Sequence, residues 1–252
     1  MKFLRINHDS LLMNKYISVI SFILVFTVFV SAQSCGFGCL GLSGVYGGYS
    51  FQNYDAAGLN RFLSEQTGET GQAEFGSGEG IRVGSNIFRA DFDDYFFTVK
   101  GYYQFLKEEN QVASASNSIR DEYKLSLNHW GFGVDFGIPL FSLFEWKIIE
   151  GSVAIYKTEF KHRQFENNIL VIDNKYTADK SDVGYYLGTG LIINLVKNYV
   201  SIEGTAGYNN FGVSSFKLDS DPDVVIKNNS GEDLIKGGKI QGTIQLNVGF
   251  PL

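Results

Sequence analysis

The stretch KIQGTIQLNVGFPL, residues 239–252, decides how this chain folds. In extended backbone successive side chains point to opposite faces. Ile240, Gly242, Ile244, Leu246, Val248 and Phe250 therefore share one face, and Lys239, Gln241, Thr243, Gln245 and Asn247 the other. A soluble barrel turns the first face inward, whereas a membrane barrel turns it toward lipid.

Seven earlier segments alternate in the same way. They begin with GVYGGYSF (44–51), 80–89 and 95–107, the last setting Tyr95, Phe97, Val99, Gly101, Tyr103 and Phe105 against Thr98, Lys100, Tyr102 and Gln104. In 123–138 the apolar phase jumps from Tyr123, Leu125 and Leu127 to Trp130, Phe132, Val134 and Phe136, which predicts a β-bulge at Asn128-His129. Segment 146–160 is impure. Its best apolar face, Ile149, Gly151, Val153 and Ile155, carries Lys147 and Lys157 at its ends and leaves Trp146 on the polar side. Segments 183–195 and 199–211 are regular.

The connections supply independent evidence. They cover about 52–79, 90–94, 108–122, 139–145, 161–182, 196–198 and 212–238, and run long and short in strict alternation. An up-and-down barrel of an outer membrane follows that rule, with short turns in the periplasm and long loops outside. An even strand number puts both termini in the periplasm. The expected fold is therefore an all-β, eight-stranded antiparallel up-and-down transmembrane β-barrel with four long outer loops.

Composition agrees. Of 252 residues, 15% are aromatic, 29 are Gly and only 3 are Pro, which suits many strands joined by turns. Residues 17–30 form an apolar core after Lys2, Arg5 and Lys15, and Val30-Ser31-Ala32 fits a small-x-small cleavage site. Residues 1–32 read as a secretory signal peptide, with Met13 an alternative start and 33–252 the barrel. The 14-residue core is short for a membrane-spanning helix. Losing Lys2, Arg5, Lys15 and Asp9 takes the chain from 21 basic and 27 acidic residues to 18 and 26, a net charge of −8. That balance argues against a nucleic-acid partner. Cys35 and Cys39 leave two readings open, a disulfide or free thiols on the one hand and lipid attachment at Cys35 on the other.

Finer features favour lipid outside. Tyr49, Phe51, Tyr103, Phe105, Tyr185 and Tyr208 fall beside the long loops, and Tyr95, Phe97, Phe136 and Phe250 beside the short turns, as two interfacial girdles require. Gly47, Gly101, Gly151, Gly204 and Gly242 sit on the apolar face, where a protein core would need volume. Lys100, Glu150 and Glu203 lie on the polar face at similar depth, so Lys100 is expected to bridge to Glu150 or Glu203 across a narrow lumen.

Signal peptide, eight strands, alternating loop lengths and an amphipathic last strand together resemble the small outer-membrane barrels of the OmpA transmembrane-domain and OmpX kind. The resemblance covers about residues 42–252 as an architecture. It implies outer-membrane lipid and the barrel-assembly machinery as partners, with Phe250 near the terminal aromatic that such machinery reads. Pro251-Leu252 follow it here.

The chemistry in the chain is sparse. His129 and His162 are the histidines left after residue 32, and a lipid-modifying enzyme would use one near the outer rim. No motif selects a nucleophile. Asp219, Asp221 and Asp223 alternate in LDSDPDVV, but Val224 and Ser230 stand where a calcium loop needs Gly and Glu. The glycines of FGSGEGIRVG (75–84) lead into a strand, which does not suit a phosphate loop. DAAGLNRFLSEQTG (55–68) reads as a short helix over the rim, or as a docking element for a surface partner. The expected function is structural, adhesive or display at the cell surface, without catalysis, cofactor or metal, and with an extracellular ligand as an open partner class. The rivals are binding or passage of small apolar compounds and outer-membrane lipid modification.

Overall fold

The first strand, β1 (Gly44–Asn53), pairs antiparallel with the last, β13 (Lys239–Gly249), and this pairing closes a ring. The structure is a computed structural model and describes residues 43–67, 73–114, 118–196, 199–228 and 231–249. The expected signal peptide, Cys35, Cys39 and Phe250 lie outside the described residues.

From β1 the ring runs through β2 (Ser77–Asp91), β3 (Phe96–Ala113), β4 (Ile119–Phe141) and β5 (Phe144–Glu166). It continues through β7 (Asp182–Val196) and β8 (Val200–Asn210) to β13, every neighbour antiparallel. Eight strands thus form the expected transmembrane barrel. Between β5 and β7, β6 (Ile169–Ala178) folds back on the upper half of β5. A helix, α1 (Ala57–Thr67), follows β1, where the sequence pattern places it. The chain between β8 and β13 holds β9 (Gly212–Val213), β10 (Ser215–Leu218), β11 (Asp221–Lys227) and β12 (Ile235–Lys236).

Burial assigns the two faces of β13. Ile240, Ile244, Leu246 and Val248 are exposed on the outside of the ring, while Gln241, Thr243, Gln245 and Asn247 are buried inside. The other ring strands repeat the inversion: Val45, Ile81, Phe132, Val153, Leu187 and Ile202 face out. A Cβ built on Gly47, Gly151 or Gly204 would meet nothing, so these apolar-face glycines line no core. Such a band of oily surface is a solvent boundary for lipid, and the ring is an outer-membrane type of barrel. Both girdles are present. Tyr103 packs on Phe105 and Trp130 at ring centroids of 4.3 and 4.5 Å at the long-loop end, and Phe92, Tyr95 and Phe136 stack at the short-turn end.

Two expectations are corrected. No bulge lies at Asn128-His129, because β4 pairs with β5 without a register shift from Ile119 to Phe136. What changes is the oily side. Above His129 the inward residues Leu127, Leu125 and Tyr123 are apolar and buried; below it the outward residues Trp130, Phe132 and Val134 are apolar and exposed. The strand leaves lipid at that height and begins to wall a protein core. A bulge does lie in β5, between Lys147 and Glu150. It turns Lys147 inward and Trp146 outward, the reverse of the faces the sequence suggests, and the Trp146 indole donates to Thr189 Oγ1 at 3.1 Å.

The long connections are also less loop-like than expected. β3, β4 and β5 run on past the girdle as one sheet, joined by β6, β10 and β11 in the order β11-β10-β6-β5-β4-β3. Outward Lys and Glu alternating with inward Tyr, Phe and Leu keep this part extended and amphipathic.

Candidate functional site

The interior of the ring is built in layers. In the half of the ring toward the short turns, above the Arg89–Glu145 pair, lies a charge lattice. Lys100 Nζ is 2.6 Å from Glu150 and 3.0 Å from Asp135. Lys147 Nζ is 2.8 Å from Asp135 and 3.6 Å from Glu150, and it also donates to Glu203. Arg82 reaches Glu150 at 3.7 Å. All six side chains are buried. An unpaired buried charge costs several kcal/mol, so three cations facing three carboxylates is the balance such a lumen tolerates.

The lattice brings Lys100 and Glu150 together, and Glu203 meets Lys147 instead of Lys100. Three members, Arg82, Asp135 and Lys147, were not singled out from the sequence. Asp135 and Arg82 were legible, since each alternates with outward residues. Lys147 was hidden by its bulge.

Tyrosines fill the space between charges. Tyr46, Tyr102, Tyr156 and Tyr186 point inward, and each ring lies across a neighbouring glycine, at Gly84, Gly131, Gly184 and Gly188 respectively. Large rings beside absent side chains are how eight strands enclose a filled interior. Arg82 stacks 4.3 Å from the Tyr102 ring centre, and its Nε donates to Gln104 Oε1 at 2.6 Å.

A neutral polar layer comes next. Gln104 sits opposite His129 across β3 and β4, the His129 ring packs 4.3 Å from Tyr156, and Gln52 Nε2 donates to the Tyr156 hydroxyl at 3.3 Å. Above it is an apolar core: Leu106, Leu125, Leu127, Phe160, Phe216, Leu234 and Ile235, roofed by Leu59 and Leu63 of α1. Asp55 Oδ1 accepts the Ala57 N–H at 2.9 Å and starts that helix. Glu108 pins the returning loop: one carboxylate oxygen accepts the Tyr54 hydroxyl and the Gly76 and Ser77 N–H groups, the last two at 3.0 and 2.9 Å.

The two histidines do not share a site. His129 is sealed in the lumen, and His162 stands above the ring, opposite Tyr123, six register steps from the His129–Tyr156 pair. His162 Nε2 lies 2.9 Å from buried Asp121, which also accepts from Gln164 at 3.0 Å, and its ring stacks on Tyr123. The acidic residues of the last loop are engaged separately. Asp219 accepts from Thr177, and Asp221 accepts the Asp223 N–H. Among the described residues no group of three His, Cys, Asp or Glu is set to hold a metal.

The outer face of the extended sheet carries a lattice of exposed ion pairs around a depression of about 550 Å³. Lys124, Lys161 and Lys175 stand directly opposite one another on β4, β5 and β6. Like charges in that relation repel, and acids on every side offset it. Glu109 holds Lys124 at 2.9 Å, Asp173 holds Lys161 at 3.1 Å, and Glu159 holds Lys175 at 3.3 Å. Hydrogen bonds from Lys124 and Lys161 keep the Glu109 and Asp173 carboxyls below the usual range, and the bond to Glu159 pushes the Lys175 ammonium up.

Comparison of the sequence with family models and with curated proteins finds no match. Among solved structures, Ail, the attachment invasion locus protein of Yersinia pestis, aligns over 83% of this chain and 97% of its own at 14% identity and a TM-score of 0.37. A second structure of Ail, in complex with the heparin analogue sucrose octasulfate, aligns at 12% identity and a TM-score of 0.36, over 83% and 97% of the two chains. Neisserial surface protein A aligns over 82% of this chain and 96% of its own, at 14% identity and a TM-score of 0.38.

Proposed function

We propose that this protein is a non-enzymatic outer-membrane barrel that displays a rigid, folded head at the cell surface for adhesion. The observation that carries this reading is the apolar core above the neutral polar layer. A barrel whose loops were only connections would have no reason to bury Leu59, Leu63, Phe160, Phe216 and Leu234 beyond the membrane. The head stands on an interior already filled by the charge lattice and the tyrosines, which supports a structural base over a passage. The described ends of β1 and β13, Gly44 and Gly249, lie at the short-turn end, which on this reading is the periplasmic side, with the head facing outward. Lipid and the assembly machinery remain the expected partners of the ring.

The test has two parts. A tag inserted between Asn167 and Asn168 should be reached by antibody on intact cells, and a C-terminal tag only after permeabilisation. Cells bearing the protein should then adhere to a surface or to one another more than cells lacking it, and deleting residues 160–178 should abolish the gain. Stable conductance steps in planar bilayers from the unaltered protein would overturn the filled base and favour passage of small compounds.

A further inference from the structure

The sheet of the head ends in two edges that differ in how they are protected. The edge formed by β11 is guarded: Pro222 removes a donor, the register slips between Lys217 and Leu218 of its partner β10, and Asp221 occupies the Asp223 N–H. The upper half of β6 has a bulge of its own, at Val171, but no proline. β10 covers only Tyr176, Thr177 and Ala178, and the Asp219 N–H adds one bond to the Lys175 carbonyl. Among the described residues, Ile169 to Asn174 pair with β5 on one side alone.

This open edge is also oily. Asn167 and Asn168, at φ of 50° and 67°, make the tight turn that ends the β5–β6 hairpin. Beyond it Ile169, Leu170 and Val171 are 68%, 47% and 48% exposed. Two residues of β6 fit one step of β5 here, so Val171 is bulged, and consecutive side chains are turned to solvent. Among the described residues, the head exposes large aliphatic side chains only here and at Val224-Val225. An unpaired backbone edge with apolar side chains is the chemistry that accepts an added strand.

The sequence points to the strand that fits. Residues 168–174 read Asn-Ile-Leu-Val-Ile-Asp-Asn, nearly the same in both directions about Val171. Laid antiparallel on itself, the segment opposes Val171 to Val171, Leu170 to Ile172, Asn168 to Asn174 and Ile169 to Asp173, whose carboxylate is held by Lys161 and Arg163, with no like charges face to face. We propose that β6 pairs with β6 of a second copy of this chain. A two-fold axis relating antiparallel strands of one sheet is perpendicular to that sheet. The sheet continues the barrel wall and stands on the membrane, so the axis lies along the membrane plane. The two copies therefore face each other from opposed membranes, and the contact is cell-to-cell adhesion. The adhesive role rests on the outward display of the head; the strand pairing itself does not.

The experiment uses the full chain, first in detergent and then in lipid vesicles. Sedimentation in detergent should show a concentration-dependent dimer, weakened roughly tenfold or more by Leu170→Lys or by Ile172→Glu, each of which buries a charge against an apolar partner. The gel mobility of the folded ring should be unchanged in both variants. Vesicles carrying Leu170→Lys and vesicles carrying Ile172→Glu should each fail to clump alone and should clump when mixed, since that register sets the introduced lysine of one copy against the introduced glutamate of the other. A dimer in detergent without clumping of cells leaves the pairing in place and removes the outward display. Three results overturn the pairing: no dimer and no clumping of the unaltered protein, association indifferent to both substitutions, or equal binding to bare vesicles, which would make the tip a lipid-seeking one. Capture of unrelated extended peptides with no self-association would also overturn it.

Discussion

Lys147 and Glu150 are three residues apart on one strand, yet both point into the ring and their charged groups lie 3.6 Å apart. Regular alternation would put them on opposite faces. The bulge between them adds a residue to β5, and the lumen gains a cation that the pattern of the sequence assigns to lipid.

Replacing Lys147 by Met should therefore be costly. Asp135 and Glu203 would lose their nearest cation, and removing one member of a buried pair typically costs about 3–5 kcal/mol. Adding Glu203→Gln to Lys147→Met should recover part of the loss. Urea unfolding in lipid vesicles, followed by the fluorescence of Trp130 and Trp146, measures both. Strict additivity of the two substitutions would show that the ion pair does not exist.

Gly131 gives a steric test. The Tyr102 ring occupies the space a side chain would take there, and the Tyr102 hydroxyl is tied to Ser152 at 2.9 Å. Gly131→Val should lower refolding yield and cost about 1–3 kcal/mol by overpacking. Gly151→Val, on the lipid side, has open space and should be nearly neutral. Equal effects of the two on gel mobility without boiling would contradict the assignment of faces.

Glu108→Ala should loosen the head and spare the ring. Three donors would lose one acceptor, at about 1–3 kcal/mol for each that stays buried. Limited proteolysis should then cut between Tyr54 and Gly76, while the ring keeps its resistance to cold SDS. Loss of both together would mean that head and ring fold as one unit.

The outer ion-pair lattice makes the β5–β6 hairpin sensitive to acid and salt. Asp173 has its carboxyl pKa lowered by the hydrogen bond from Lys161, so the unfolded hairpin binds a proton more readily than the folded one. The stabilisation is whole above the usual carboxylate range, near pH 4, and fades as pH falls through the lowered value. Amide protection factors in residues 159–178, with the intrinsic pH dependence of exchange divided out, should fall below about pH 4, hold level from about pH 5 to 8, and fall with salt at neutral pH. Asp173→Asn should remove most of the acid response. An unchanged response would place it elsewhere.

Much of the ring was legible because lipid imposes a single rule on every strand. The faces of 44–51, 95–107, 183–195 and 239–249 follow from alternation alone, and the helix at α1 from the spacing of Leu59, Phe62 and Leu63. The rest failed where that rule stops. Leu125 and Leu127 are oily and inward because β4 has left the bilayer, a change of solvent that reads in one dimension as a change of phase. The bulge of β5 inserts a residue beside Ile148-Ile149, where either isoleucine makes a plausible outward face. β6 and β10 fall in stretches that the pattern assigns to loop, because both are short, β6 has a bulge that breaks its alternation, and the β10 partner lies far off in sequence. Within the site, Lys100 and Glu150 were readable as lumen residues, but the partner of Glu203 was not, since it depends on a bulge that leaves no mark of its own.

β4 and β5 are each 23 residues long and cross from the short-turn end to the head without a break. Above the β5 bulge the two strands pair with each other without a register shift all the way to the head. A load applied at Asn167 and Asn168 is thus carried straight into the wall of the cylinder, so whatever grips the tip tugs on the membrane anchor itself.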